Sequence, residues 1–203
     1  MSLFKFPARP AELSIFPLQA VLFPGGVLKL RVFEPRYLSL VKDCLKSEQP
    51  FGVCLIAEGR ETGAPAAPHK VGTAARIAGW DMAQLGVLNI TVRGEERFRI
   101  LETTANREGL IRARIEPMAP DPELPVPQEL CALVPLLQAM ATDAGAERLP
   151  PPHRFDDAAW VGCRFSELLP MPLIARQKLL ELDDPVSRLE IVFKFLAQRG
   201  LVK

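Results

Sequence analysis

A chain of 203 residues with 25 Lys and Arg against 24 Asp and Glu is close to neutral, and lacks the basic footprint of a nucleic-acid or anionic-membrane binder. Its 48% hydrophobic and 24% charged content is that of a globule, long enough to bury about 70% of its unfolded surface without covalent staples. No run of 18 apolar residues occurs, which excludes a hydrophobic membrane-spanning helix.

The first residues, MSLFKFPARPAELS, are broken by Pro7, Pro10 and Glu12 and make no targeting segment, so a cytoplasmic protein is expected. Phe16-Pro17-Leu18 opens an apolar lead-in. Pro24-Gly25-Gly26 then combines a missing amide with two residues that tolerate positive φ, and predicts a sharp turn. Val27 to Phe33 alternates imperfectly with period two: Leu28, Leu30 and Val32 on one face, Val27, Lys29, Arg31 and Phe33 on the other. That is a half-buried strand. Pro35 suits a first helical position, and Leu38, Val41 and Leu45 make one stripe of a helix over about 36–47.

Residues 51–57, FGVCLIA, read as a strand buried on both faces, and residues 58–70 as a long loop. From 71 to 118 the pattern is all β. Val71 to Ile77 runs on into Trp80, and Val87 to Val92 is rich in branched side chains. Gly94-Glu95-Glu96 is expected to turn. In the next strand Phe98 and Ile100 share a face. Residues 106–109 turn again, and the last strand points Ile111, Ala113 and Ile115 inward. Short strands joined by short turns predict a meander that curls into a barrel.

Five prolines between Pro117 and Pro127 then exclude sheet or helix interior. Beyond them the period is helical. Leu130, Val134 and Leu137 form one stripe. Asp156 is expected to cap a helix carrying Trp160 and Cys163 that Pro170 stops, and Pro172 starts the next. Asp184 and Pro185 are placed as N-cap and first residue of the last, which Gly200 ends. The expected division is a β part over 1–117, a proline-rich linker over 118–127 and a helical part over 128–203.

The string FPL, LFPG, then Leu28, Leu30 and VFEPRY (residues 32–37), resembles the N-terminal substrate-recognition domain of Lon-type ATP-dependent proteases. VGTAARI (71–77) and GEERFRI (94–100) resemble the paired β motifs of that domain, and RQKLLELDD (176–184) with Arg188-Leu189 its helical signature. The resemblance covers nearly the whole chain. It implies an α+β fold: an N-terminal PUA-like β pseudobarrel with one helix, followed by a C-terminal α-helical subdomain.

The chemistry of catalysis is not visible. There is no Gly-Lys dipeptide for a phosphate-binding loop, no GxSxG and no HExxH, and an ATPase or peptidase domain is not expected here. His69 and His153 sit in proline-rich loops without a neighbouring nucleophile. Asp156-Asp157 and Asp183-Asp184 precede helical stripes, which capping explains better than a metal. Cys44, Cys54, Cys131 and Cys163 have no metal-ligand spacing and read as reduced, mostly buried thiols. Neither a cofactor nor a metal site is expected, and no catalytic residue is assigned.

Arg97, Arg99, Arg112 and Arg114 can share an outer face, and PUA-like folds include RNA binders. Residues 93–116 hold six arginines and five glutamates, however, which reads as cross-strand charge pairing, and the aromatics between 71 and 118 are only Trp80 and Phe98. RNA binding is therefore the weaker alternative. The resemblance implies a non-catalytic module that engages unfolded or partly folded protein segments through an apolar surface. The loop at 58–70 and the exposed side of the strand 27–33 are the candidate contacts, with Phe33, Arg36 and Tyr37 expected to brace the strand–helix junction. An adaptor docking on a folded partner, such as a protease or chaperone subunit, is the other reading.

Overall fold

The computed structural model describes residues 11–202. The expectation about a targeting segment at residues 1–10 lies outside them. The described residues form two compact units, divided between Met118 and Ala119.

In the first unit β1 (Ala11–Leu18), β2 (Val27–Val32) and the helix α1 (Pro35–Ser47) are followed by β3 (Phe51–Glu58), the short β4 (Ala67–Pro68), β5 (Val71–Gln84), β6 (Val87–Ala105) and β7 (Ile111–Pro117). The strands run in the order β1-β7-β6-β5-β3-β4, and a parallel pairing of β1 with β3 joins the path back on itself. Five strands thus close a small barrel, which removes most open edges. The lead-in at Phe16-Pro17-Leu18 is part of β1. Pro17 is tolerated there because β7 pairs with β1 only over Ala11 to Ile15, so that end of β1 is an edge.

The barrel interior is filled by Leu13, Ile15, Phe98, Ile111, Ala113 and Ile115, the inward residues of β1, β6 and β7. A second core lies under α1, where Leu40 and Val41 meet Phe16, Phe51, Ile90 and Val92. Helix α1 spans the predicted residues, with Pro35 in its first turn and Glu48 in the left-handed region at its end.

The expected turn at Gly94-Glu95-Glu96 does not exist: β6 runs unbroken through it. Glycine is needed there for a different reason. The chain at Phe23 to Gly26 crosses so closely that a Cβ on residue 94 would strike the Phe23 carbonyl oxygen. Gly94 bonds this crossing segment twice: Gly25 N–H donates to Gly94 O and Gly94 N–H to Gly26 O, both at 2.8 Å. β5 and β6 meet at a turn at Leu85-Gly86, and the absence of a turn at 94–96 makes them one long hairpin. The loop at 58–70 holds one element, β4, which pairs with β3.

In the second unit a short 3-10 turn (Gln128–Leu130) leads to α2 (Leu133–Arg148), α3 (Ala158–Leu168), α4 (Leu173–Glu181) and α5 (Pro185–Ala197). Asp184 caps α5 as predicted, accepting from Ser187 N–H at 2.8 Å, with Pro185 in the first turn. The cap of α3 is Asp157, accepting from Ala159 N–H at 2.9 Å, and not Asp156. The helix begins one residue later than the stripe implied, and the cap must sit two or three residues before the amide it serves. The proline-rich stretch carries hydrogen bonds of its own: Ala158 N–H donates to Leu124 O and Val126 N–H to Asp156 O. Among the described residues no helix is long and apolar enough to cross a membrane.

Candidate functional site

A largely apolar concave surface of the first unit grows out of β2. The Pro24–Gly26 turn, with Gly25 at φ 75°, sends the chain along β6, against which Leu28, Leu30 and Val32 pair with Val92, Ile90 and Leu88. A cleft of about 410 Å³ runs beside this strand, lined by consecutive residues from Leu28 to Glu34. Residues of both faces line it, which places the cleft along the strand's edge and not over one face. Its other wall is Phe16, Leu18 and Ala20 from β1 and the segment after it, with Tyr37 from α1. Glu61 and Thr62 reach it from the 58–70 loop. The two candidate contact elements read from the sequence therefore meet at one cleft.

Its rim is held rigidly. The rings of Phe16 and Tyr37 stack at 3.9 Å between centroids, 10° from parallel. The Arg36 guanidinium lies 4.7 Å from the Tyr37 ring centre. It is buried, pairs with Glu34 at 3.0 Å and donates to Gly109 O at 3.1 Å. Burial pushes the Tyr37 hydroxyl up from its ordinary pKa; Arg36 opposes this, while Glu34 and Glu61 add to it. Gln19 N–H donates to the Glu61 carboxylate, which ties the long loop to the end of the lead-in. Arg36 and Tyr37 thus brace the strand–helix junction as expected. Phe33 does not: its side chain is 52% exposed on the lip of the cleft.

A second, shallower cleft of about 350 Å³ lies between β4 and the far half of β6, with Pro65, Pro68, Leu101 and Thr103 among its walls. At the β5–β6 hairpin tip Trp80, Met82 and Leu85 are 56%, 54% and 96% exposed; Trp80 stands opposite Ile90 and Met82 opposite Leu88, and Leu85 lies in the turn itself.

The arginine face is not a uniform basic stripe. Arg114 binds Glu102 through two nitrogens, the closer at 2.8 Å, and Arg99 stands opposite Glu116. Arg97 is not on an outer face at all. It is buried opposite Thr73, because β6 is covered on both sides at that point, with Phe98 filling the barrel on the other. The charge balance seen in the sequence is realised in part as cross-strand pairs; Arg112 stands opposite Thr104 and Ser14 instead.

His153 bonds Leu149 O at 3.0 Å and packs edgewise on Phe155, and the His69 N–H donates its backbone proton to Leu55 O. Burial raises the thiol pKa of Cys44 to about 11 and pushes Cys54 and Cys163 up as well, keeping all three protonated and weakly nucleophilic. Cys131 is exposed. Among the described residues no group of three or more His, Cys, Asp or Glu is placed to hold a metal ion.

Residues 12–198 match the sequence profile of the ATP-dependent protease La (LON) substrate-binding domain. The Lon protease of Anaeromyxobacter dehalogenans is 30% identical over 207 residues, a match that takes in 94% of this chain and 23% of that protein. The chain spans under a quarter of the length of this protein and of the Lon proteases of Myxococcus xanthus and Methylocella silvestris that it also matches. The crystal structure of a Lon N-terminal domain protein from Xanthomonas campestris is 38% identical, with a TM-score of 0.77 over 91% of this chain and 98% of that one. The N-terminal domain of a Mycobacterium avium complex Lon protease shares the fold at 17% identity and a TM-score of 0.65.

Proposed function

The chain belongs to the family of the ATP-dependent protease La (LON) substrate-binding domain, and on that premise we propose that it is a non-catalytic recognition module for unfolded or partly folded protein segments. The observation that carries this reading is the cleft beside β2. It offers Leu28, Leu30 and Phe33 to an apolar segment, on a wall kept rigid by the Phe16–Tyr37 stack. An unfolded chain presents what a native protein hides, apolar side chains in short extended runs, and such a cleft selects for them. The module itself does no bond-breaking. Hydrolysis of ATP and of peptide bonds belongs to other machinery, to which the module delivers its client.

The test is titration of the isotope-labelled protein with a reduced, alkylated unfolded protein. Backbone signals of residues 27–34 and 58–62 should shift together, and absence of any shift at saturating client would overturn the reading.

A second reading, an adaptor that docks on a folded partner, is favoured by the exposed Trp80, Met82 and Leu85 at the hairpin tip. Trp80→Asp with Leu85→Asp separates the two. Loss of one stoichiometric partner with unchanged client binding supports the adaptor; loss of neither supports the recognition module alone.

A further inference from the structure

We propose that the free edge of β6 from Thr103 to Ala105 binds an extended client segment by antiparallel strand addition, and reads in it one acidic residue between two apolar ones. This deepens the recognition reading above and rests on it, at the second, shallower cleft. Consecutive residues from Ile100 to Ala105 form one wall of that cleft, so it runs along the edge of β6. The pairing of β5 with β6 ends at Val71 opposite Arg99, and the residues before it, Ala67 and Pro68, pair with β3 instead. Pro65 and Pro68, in the facing wall, have no N–H to donate and cannot zip onto β6. Two bonds set the phase of the edge. Ile100 N–H donates to Lys70 O at 2.6 Å on the β5 side, and Asn106 N–H to Leu110 O at 3.0 Å on the β7 side. The register shift between Ile100 and Glu102 reconciles them. Counting back by two from Asn106, Thr104 and Glu102 turn their backbone groups to β7, while Thr103 and Ala105 turn theirs into the cleft. Among the described residues no strand pairs with them on that side. An extended peptide laid there meets amides and carbonyls at strand spacing.

The side chains beside this edge set the ligand. Thr103 and Ala105 stand opposite Ala113 and Ile111, both buried, so the matching residues of an added strand extend the apolar face. Thr104 lies on the other face, opposite Arg112, which meets Ser14 on its far side. Arg112 is exposed, and the acids of the flanking strands, Glu102 and Glu12, stand opposite Arg114 instead. Glu102 is bonded to Arg114 through both carboxylate oxygens. Lys70, also exposed, lines the cleft. Among the described residues no acid pairs with Arg112 or Lys70. A residue placed opposite Thr104 lies two strand spacings from Arg112, roughly 10 Å between backbones. The small Thr104 leaves a carboxylate and the guanidinium free to meet over it. A carboxylate is favoured at that position and a cation is repelled.

The probe is a fluorescein-labelled seven-residue peptide, valine–glutamate–valine between pairs of threonine, with binding to the full chain read by anisotropy. In antiparallel addition the residues opposite Thr103 and Ala105 exchange hydrogen bonds with them, so both valine amides point at β6 and the glutamate amide points away. N-methylation of both valines should weaken binding about tenfold or more, and N-methylation of the glutamate should leave it intact. Equal effects of the two, or none, would overturn strand addition; loss confined to the glutamate-methylated peptide would overturn its antiparallel sense. Thr103→Pro removes an amide that β7 does not use and should abolish binding, while Thr103→Ala keeps it. A Thr103→Pro protein that melts normally and still binds would overturn the site. Arg112→Glu should weaken this peptide and improve its valine–lysine–valine counterpart; an unchanged preference would overturn the acidic specificity. Reduced, alkylated unfolded protein is titrated alongside. Binding of that protein without the peptide sinks this inference alone, while failure of both sinks the recognition reading too.

Discussion

Phe16 lies flat against Tyr37, with centroids 3.9 Å apart and planes 10° from parallel. The pair joins the end of β1 to the first turn of α1, and both rings are almost fully buried while forming the wall of the cleft. Tyr37→Ala should cost about 3–5 kcal/mol, the usual loss for a buried ring. A double-mutant cycle with Phe16→Leu should return a coupling of about 0.5–1.5 kcal/mol, the range for stacked aromatic pairs. Urea unfolding measures both, and a coupling indistinguishable from zero would mean that the stack is packing without pair-specific energy.

Phe98 is wholly buried in the barrel interior among Ile15, Ile111 and Ile115. Phe98→Ala leaves a void that the closed ring of strands cannot collapse to fill. The expected loss is again about 3–5 kcal/mol, visible as a fall in the denaturation midpoint with no change in slope. A loss under about 1 kcal/mol would mean that the barrel relaxes more than its closure allows.

Gly25 and Gly94 act at the same crossing by different physics. Gly25 has φ 75°, so Gly25→Val strains the backbone by at least about 1–2 kcal/mol. Gly94 has ordinary backbone angles, but its missing side chain admits the Phe23 carbonyl. Gly94→Ala, a change normally mild in a strand, should therefore destabilise as much as Gly25→Val or more. Parallel thermal melts decide the order.

These two glycines also mark how far the sequence could be read. Gly25 announced itself, because it follows a proline and precedes an alternating strand, all local signals. Gly94 did not: its reason is a segment seventy residues away, and from sequence alone it looked like a turn. The alternation of Leu110 to Glu116 translated directly into burial of Ile111, Ala113 and Ile115, since period two needs no partner to be recognised. The cleft was legible only as two separate stretches, 27–33 and 58–70, because what unites them is the packing of Glu61 and Thr62 beside β2. The burial of Arg97 was invisible, since a strand covered on both faces carries no distinguishing period there.

Arg188 is the pin of the helical unit. It is 1% exposed, donates to Leu179 O and Leu182 O at 3.0 and 2.7 Å, and pairs with Asp121 at 2.6 Å. Asp121→Ala leaves that guanidinium buried without its counter-charge and should cost about 3–5 kcal/mol. Asp121→Ala combined with Arg188→Met should be less destabilised than Asp121→Ala alone, because the orphaned charge is gone. If the double variant is the worse of the two, the carbonyl bonds of Arg188 outweigh its ion pair.

The thiols give the fold a slope at alkaline pH. Burial, and secondarily Asp43, raises the Cys44 pKa to about 11, and burial also raises Cys54. A group whose pKa is higher folded than unfolded keeps its proton longer in the native state, so native protein binds more protons than unfolded protein in that window. The stabilisation is complete below the ordinary thiol value, declines as pH rises through it, and for Cys44 is exhausted at about 11. The free energy of unfolding in urea should therefore fall steadily from about pH 8.5 upward, where an unfolded thiol begins to ionise. Cys44→Ala should flatten that fall while leaving the slope below pH 8 unchanged. Tyr37, also raised by burial, adds a decline of the same sign at higher pH, and Tyr37→Phe removes it. A Cys44→Ala profile superimposable on that of the native sequence would show that its thiolate finds solvent in the folded state, and that α1 is not seated on its core as tightly as the burial of Val41 and Leu40 implies.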